Sequence, residues 1–264
     1  MKPMTKYRIS NGAIAPIMLV MVGFLVAQVG LNAQGRGGRG GAPATPQTAK
    51  ASAVFDLTGY WVSVITEDWR YRMVTPTPGD FQGVPMTPEA RKIAEAWDPV
   101  KAQASPDQCQ SYGAPALLRV PTRLRFTWQD DQTLKMESDA GKQTRILHLG
   151  DWKAPAGSPP TLQGDSVAVW ERGGGRGATD GSLKITTTNL KPGLLRKNGI
   201  PYSDQTSLTE YFDLIKEPNG DPMIIVTIAT TDPLYLRQAF VVSSQFKKQP
   251  SEAGWNPTAC SATW

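Results

Sequence analysis

"LRFTWQDDQTLKMESDAGKQTRILHL", residues 124–149, decides the fold class of this chain. Three runs rich in apolar residues, 124–129, 133–138 and 143–149, are separated by two clusters of turn-forming residues, "QDDQT" and "SDAGKQ". A period of two puts Leu124, Phe126 and Trp128 on one face of an extended strand, with Arg123 and Arg125 on the other. Consecutive runs of this kind, joined by short turns in which Gly supplies a positive φ, read as antiparallel hairpins.

The same texture continues outward in both directions. Strand-like runs occur at 59–66, 71–74, 165–171, 182–189, 207–216, 223–230 and 238–246. "KEPNGDP" at 216–222 is a further tight turn, and "RGGGRGATDGS" at 172–182 a longer Gly-rich hairpin loop. No strand–helix alternation repeats along the chain. The expectation is a mainly β domain over residues 54–264, an antiparallel meander closing into a barrel of about eight to nine strands. One short helix is expected in "PEARKIAEAWDP", residues 88–99, with Thr87 as N-cap, Pro88 in the first turn and Asp98-Pro99 as the stop. Ala90, Ile93, Ala94 and Trp97 would share one face, so the helix reads as a lid on the barrel.

The N-terminus reads as an export signal over residues 1–33. Lys2, Lys6 and Arg8 form a positive region, residues 13–29 are largely apolar, and "LNA" at 31–33 offers a small residue for cleavage. The competing reading is a retained anchor, since the apolar run is near the lower limit for spanning a bilayer. Residues 34–53, "QGRGGRGGAPATPQTAKASA", are a Gly/Ala/Pro-rich linker that cannot build a core. A periplasmic or secreted location follows, with no stable membrane span after cleavage.

The formal net charge of +5 does not belong to the folded domain. Residues 1–53 hold six basic side chains and no acid, which leaves 22 basic against 23 acidic side chains in the rest. A near-neutral domain lacks the footprint of a nucleic-acid binder, so no nucleic-acid partner is expected. Two cysteines in an exported chain read as one disulfide, Cys109 to Cys260, against the alternative of two unrelated buried thiols.

"FDLTGYW" at 55–61 contains Gly59-x-Trp61 at the start of the first long strand. This resembles the lipocalin signature. The resemblance implies that Trp61 closes one end of the barrel and packs near an arginine from the last strand, for which Arg237 in "YLRQAF" is the candidate. "DWRYRMVTP", "WDP", "DQCQSYGA", "GLLRKNGIPYSDQTSLTEYFD" and "WNPTAC" together resemble a group of exported bacterial proteins with a lipocalin-like label. That resemblance implies compartment and fold, and no active site.

His148 is the single histidine, so any Ser-His-Asp or Cys-His system must use it. It sits on a strand-like run with no nucleophile elbow nearby, and a structural histidine is the simpler reading. One histidine and two paired cysteines make no usual zinc site, and no metal or cofactor is expected. "WRYRM" at 69–73 alternates Trp69, Tyr71 and Met73 with Arg70 and Arg72. On an extended strand, both guanidiniums face one way. They are either solvated outside the barrel or aimed into its mouth as an anion site, to which Arg125 and Arg145 add from other strands. "NGIPY" at 198–202, preceded by Arg196 and Lys197, reads as a loop over that mouth.

Three functions remain open at this point. One is a barrel that binds a small, partly apolar, anionic molecule through Arg70, Tyr71, Arg72, Arg125 and Arg145. The second is a barrel enzyme, an isomerase, cyclase or hydrolase, using His148 as acid or base. The third is a ligand-free structural protein of the envelope.

Overall fold

The computed structural model describes residues 47–106, 108–174 and 180–263. The expected signal segment, most of the linker and the tip of the 172–182 loop lie outside the described residues. Among the described residues, nine strands close into a barrel in the order β1-β11-β10-β9-β6-β5-β4-β3-β2. They are β1 Gly59–Val64, β2 Arg123–Trp128, β3 Thr133–Ser138, β4 Gln143–Leu149, β5 Asp165–Arg172, β6 Gly181–Thr188, β9 Ser207–Lys216, β10 Pro222–Thr231 and β11 Phe240–Gln249. β7 Gly193–Leu194 and β8 Pro201–Tyr202 form a separate two-stranded ribbon. The mainly β barrel expected from the alternation is present.

Closure comes from β1, which pairs with β11 on one side and β2 on the other. The alternation then sends one side chain in two to the interior. Leu124 and Phe126, Leu134 and Met136, Leu183 and Ile185, Leu208 and Phe212, Ile224, Val226 and Ile228 are all buried. The interior is packed with side chains, as in small barrels of this strand number. Two departures from simple apolar filling stand out. Arg145 and Glu210 are both fully buried inside, joined by two hydrogen bonds of 3.0 and 2.7 Å. Ser166 and Thr187 surround the guanidinium and share its Nη2.

Three sequence expectations require correction. The barrel is not purely antiparallel, because β4 and β5 pair in parallel, with Leu147 opposite Ser166 and Leu149 opposite Ala168. Residues 150–164 carry the chain back across the barrel as irregular backbone, and such a crossover leaves no periodic trace in the sequence. The expected strand at 71–74 is instead the short helix α1 Trp69–Arg72. Asp68 precedes it with φ 52°, a left-handed turn that Asp tolerates better than most residues. The single helix is several: α2 Pro88–Glu95, α3 Pro99–Ala104, a 3-10 turn at Gln110–Tyr112 and α4 Ala114–Leu117.

Thr87 does cap α2, its hydroxyl accepting from the Ala90 amide at 3.3 Å. Asp98-Pro99 ends that segment by starting α3, with the Asp98 carboxylate accepting from the amides of Val100 and Lys101. Ala90 and Ala94 are buried on the inner face of α2, whereas Ile93 is exposed. No helix among the described residues is long and apolar enough to cross a membrane.

Cys109 and Cys260 form a disulfide, with Cα atoms 5.1 Å apart. It ties the C-terminal segment to the turn before α4. Asp139 adds to this tie: its carboxylate accepts from the Thr122 hydroxyl and the Arg123 amide, and its carbonyl from the Thr258 amide.

Candidate functional site

A cluster of three arginines, Arg72, Arg119 and Arg196, is built from three separate segments. The left-handed turn at Asp68 sets the direction of α1, so that Trp69 and Met73 face outward and Arg72 inward. Trp69 is 64% exposed and Arg72 only 1%. The Arg72 Nε donates to the carbonyl of Arg119 at 3.0 Å, and its Nη1 to Glu67 at 3.1 Å. Its Nη2 is buried and has no hydrogen-bond partner among the described residues.

Arg119 follows α4 and crosses over to β11. Its Nη1 donates to the carbonyl of Ser243, and its Nη2 to Asp68 at 2.6 Å. The third guanidinium, Arg196, is carried by the loop between β7 and β8. There the Leu195 amide donates to the Ile200 carbonyl at 2.7 Å. Gly199, at φ +89°, lets that loop turn against the helical segment, since a Cβ there would lie 2.3 Å from Trp97 Cβ. Arg196 donates to the Gln82 carbonyl at 2.7 Å and lies over the Tyr71 ring, 4.1 Å from its centroid. Asp232 anchors β8's end of the loop, accepting from the Ser203 amide and from the hydroxyls of Ser203 and Thr206.

Between these groups lies a small cavity lined by Tyr71, Arg72, Arg119, Val120, Arg196 and Phe240. Water-sized groups have about 20 Å³ in which to centre themselves. Burial depresses all three guanidiniums, Arg72 the furthest, to about 10, with the neighbouring charge of Arg119 adding to the effect. Even so, each stays charged at neutral pH. A buried, charged N–H without an acceptor is costly, about 1–3 kcal/mol or more, and an anion in the cavity would remove that cost.

The other residues expected at the site are dispersed. Arg70 is exposed and pairs with Asp80. Arg125 lies on the outer wall, its Nε donating to Glu137 at 2.8 Å, with Trp255 beneath its guanidinium. It borders an open hollow of about 900 Å³ with Tyr60, Phe55 and Trp128. This is the larger recess, but Arg125 is already satisfied there by Glu137. Arg145 points into the barrel and is bound to Glu210. The structure therefore brings Tyr71 and Arg72 to one cavity and leaves Arg70, Arg125 and Arg145 elsewhere.

Trp61 is fully buried, and its indole N–H donates to the Leu57 carbonyl at 2.8 Å. Gly59 has φ +92°. Arg237 is exposed and does not take the expected place beside Trp61; its amide donates to the Pro85 carbonyl at 2.8 Å, pinning the segment before α2. The cation over Trp61 is Lys248. His148 lies on the outer side of β4, stacked on Trp152 with ring centroids 3.8 Å apart, and does not face the interior.

Arg119 went unrecognised in the sequence. "APALLRVP" reads as core, and a single arginine within it gives no sign of reaching Asp68 and Ser243. Arg196 was flagged only by its place in a loop. No family model, curated protein or solved structure matches the chain.

Proposed function

We propose that this protein binds a small, partly apolar anion in the cavity between α1, α4 and the loop carrying Arg196. The observation that carries the reading is the buried Nη2 of Arg72, a side chain that lines the cavity, which has no hydrogen-bond partner among the described residues. Arginine suits the role because its planar fork holds a carboxylate or similar group and stays charged when desolvated. The apolar walls supplied by Val120 and Phe240 favour a ligand with a hydrocarbon part.

This places binding at the edge of a lipocalin-like barrel rather than in its filled lumen. The Cys109–Cys260 disulfide supports an oxidising location, periplasmic or secreted, for which residues 1–33 would supply the signal. Binding is favoured over catalysis by His148, which stacks on Trp152 outside the barrel.

Native mass spectrometry of the protein purified gently from exporting cells tests the reading. A small retained mass in the wild type should be lost in Arg72→Gln. Equal retention by both proteins would defeat the assignment to this cavity.

A further inference from the structure

We infer that the Cys109–Cys260 disulfide latches a strap over the Lys197 side of the anion cavity, and that breaking it weakens the anion site; the inference rests on the anion-binding reading above. The strap is residues 256–263, irregular backbone apart from a bridge between Thr258 and Ala140. Asn256, Pro257, Thr258 and Ala259 are exposed, and only Cys260 and Ala262 are buried. So little buried apolar surface holds a segment weakly by itself. Its hydrogen bonds include those from the Thr258 amide to the Asp139 carbonyl at 2.9 Å, from the Ser261 amide to the Tyr112 hydroxyl at 3.2 Å and from the Ala262 amide to Gln103 Oε1 at 2.8 Å.

The strap covers Tyr112 and Lys197, each 3% exposed. The Lys197 ammonium donates to the Tyr112 hydroxyl at 2.8 Å and to the Thr263 carbonyl of the strap at 3.3 Å. Lys197 lines the anion cavity as a fourth cation beside Arg72, Arg119 and Arg196, and Ser111 lines it too. Cys109 directly precedes the turn Gln110–Tyr112, which carries both Ser111 and Tyr112. The disulfide therefore joins the strap to the turn that builds this side of the cavity. A charge shut away from water acts on its surroundings with less screening. Burial pushes the Lys197 ammonium down to about 8, so it is still mostly charged at neutral pH. With the strap released, water reaches the ammonium and its flexible stem is free to swing outward. The positive field in the cavity falls, and the anion is held less tightly.

The latch opens by thiol–disulfide exchange with an external dithiol. Its thiolate attacks the half-buried Cys109 sulfur, and Cys260 leaves as a thiolate that takes a proton. The second thiolate of the dithiol then displaces Cys109, which is protonated in turn. The protein gains two electrons and two protons, and the dithiol becomes a disulfide. By linkage, a bound anion makes the bond harder to reduce by the same factor that reduction weakens the anion.

Titration with sodium acetate at constant ionic strength, with hydrogen exchange on the same samples, tests the inference. The samples are the oxidised wild type, the wild type reduced with dithiothreitol, and the double variant Cys109→Ser, Cys260→Ser, which needs no reductant. The inference predicts that reduction weakens acetate binding about tenfold. It predicts faster exchange at the amides of Thr258, Ser261 and Ala262, with the barrel strands still protected. Unchanged acetate affinity in the reduced protein, or unchanged exchange at those three amides, would overturn the latch. Loss of protection throughout the barrel on reduction, and in the double variant, would overturn it also, because the bond would then serve the whole fold. Failure of the oxidised wild type to bind acetate would instead defeat the anion-binding reading itself, and the coupling with it.

Discussion

The ammonium of Lys248 lies 4.5 Å from the ring centroid of Trp61, the residue directly opposite it across the seam where β1 and β11 close the barrel. The same ammonium donates to the carbonyl of Thr58. Gly59 makes room for this crossing: its φ of +92° disfavours any side chain, and a Cβ would lie 3.3 Å from Lys248 Nζ. Lys248 thus caps the buried tryptophan at the barrel's end, and burial lowers its basicity.

Trp61→Ala should cost about 3–5 kcal/mol, through lost transfer energy and the cavity left behind. Lys248→Met keeps the apolar stem over the ring and should cost about 1 kcal/mol. Urea denaturation of both variants checks the pair. A Trp61→Ala protein of wild-type stability would show that the seam does not depend on this residue.

Arg145 and Glu210 are the second test of the core. Removing one partner leaves an uncompensated charge in the barrel, so Arg145→Met or Glu210→Leu alone should cost about 3–5 kcal/mol. The double variant should recover much of that loss, because two apolar side chains fill the space without any charge to desolvate. Additive losses in a double-mutant cycle would contradict the interior pairing seen here.

The Cys109–Cys260 bridge spans 151 residues of sequence. Reduction frees the denatured chain from that loop, and should lower stability by about 2–5 kcal/mol. Chemical denaturation with and without reductant measures it directly. Free thiols in the oxidised protein would remove the bridge from the account.

His148 offers a pH-dependent signature. Burial against Trp152 pushes its basicity below the ordinary value of 6.5, while Asp165 and Asp130 oppose this only in part. The folded state therefore favours the neutral ring, and the unfolded state binds the proton more readily. The contribution of His148 to stability is complete above the ordinary value and is lost as pH falls through the lowered one. Wild type should lose more stability than His148→Gln on acidification below about pH 6.5. Parallel pH profiles for the two proteins would show that the ring is not held neutral.

Much of this fold was readable from alternation alone. The quoted hairpins at 124–149 appear as β2, β3 and β4 with their expected inward residues. The parallel junction between β4 and β5 was not readable, because an irregular crossover carries no period. In "WRYRM", five residues are too few to separate a period of two from one of 3.6, and the turn at Asp68 settled the matter in favour of helix.

The site was legible only in part. Tyr71 and Arg72 could be singled out because arginines among aromatics suggest an anchor. Their partners Arg119 and Arg196 come from 47 residues and more along the chain, and a spatial cluster of that kind leaves no local pattern. Arg145 shares its strand face with Leu147 and Leu149, so its inward direction was implicit in the sequence. Its partner Glu210, 65 residues away, was not.

The central claim is that the unpartnered nitrogen of Arg72 marks a ligand site, and a crystal structure of the wild-type protein grown in sodium acetate tests it most directly. The account predicts density for the anion within hydrogen-bond distance of Arg72 Nη2, in the cavity lined by Val120, Arg196 and Phe240. A well-ordered cavity that holds only water on Arg72 in saturating acetate, or acetate bound solely at another place on the barrel, would contradict it.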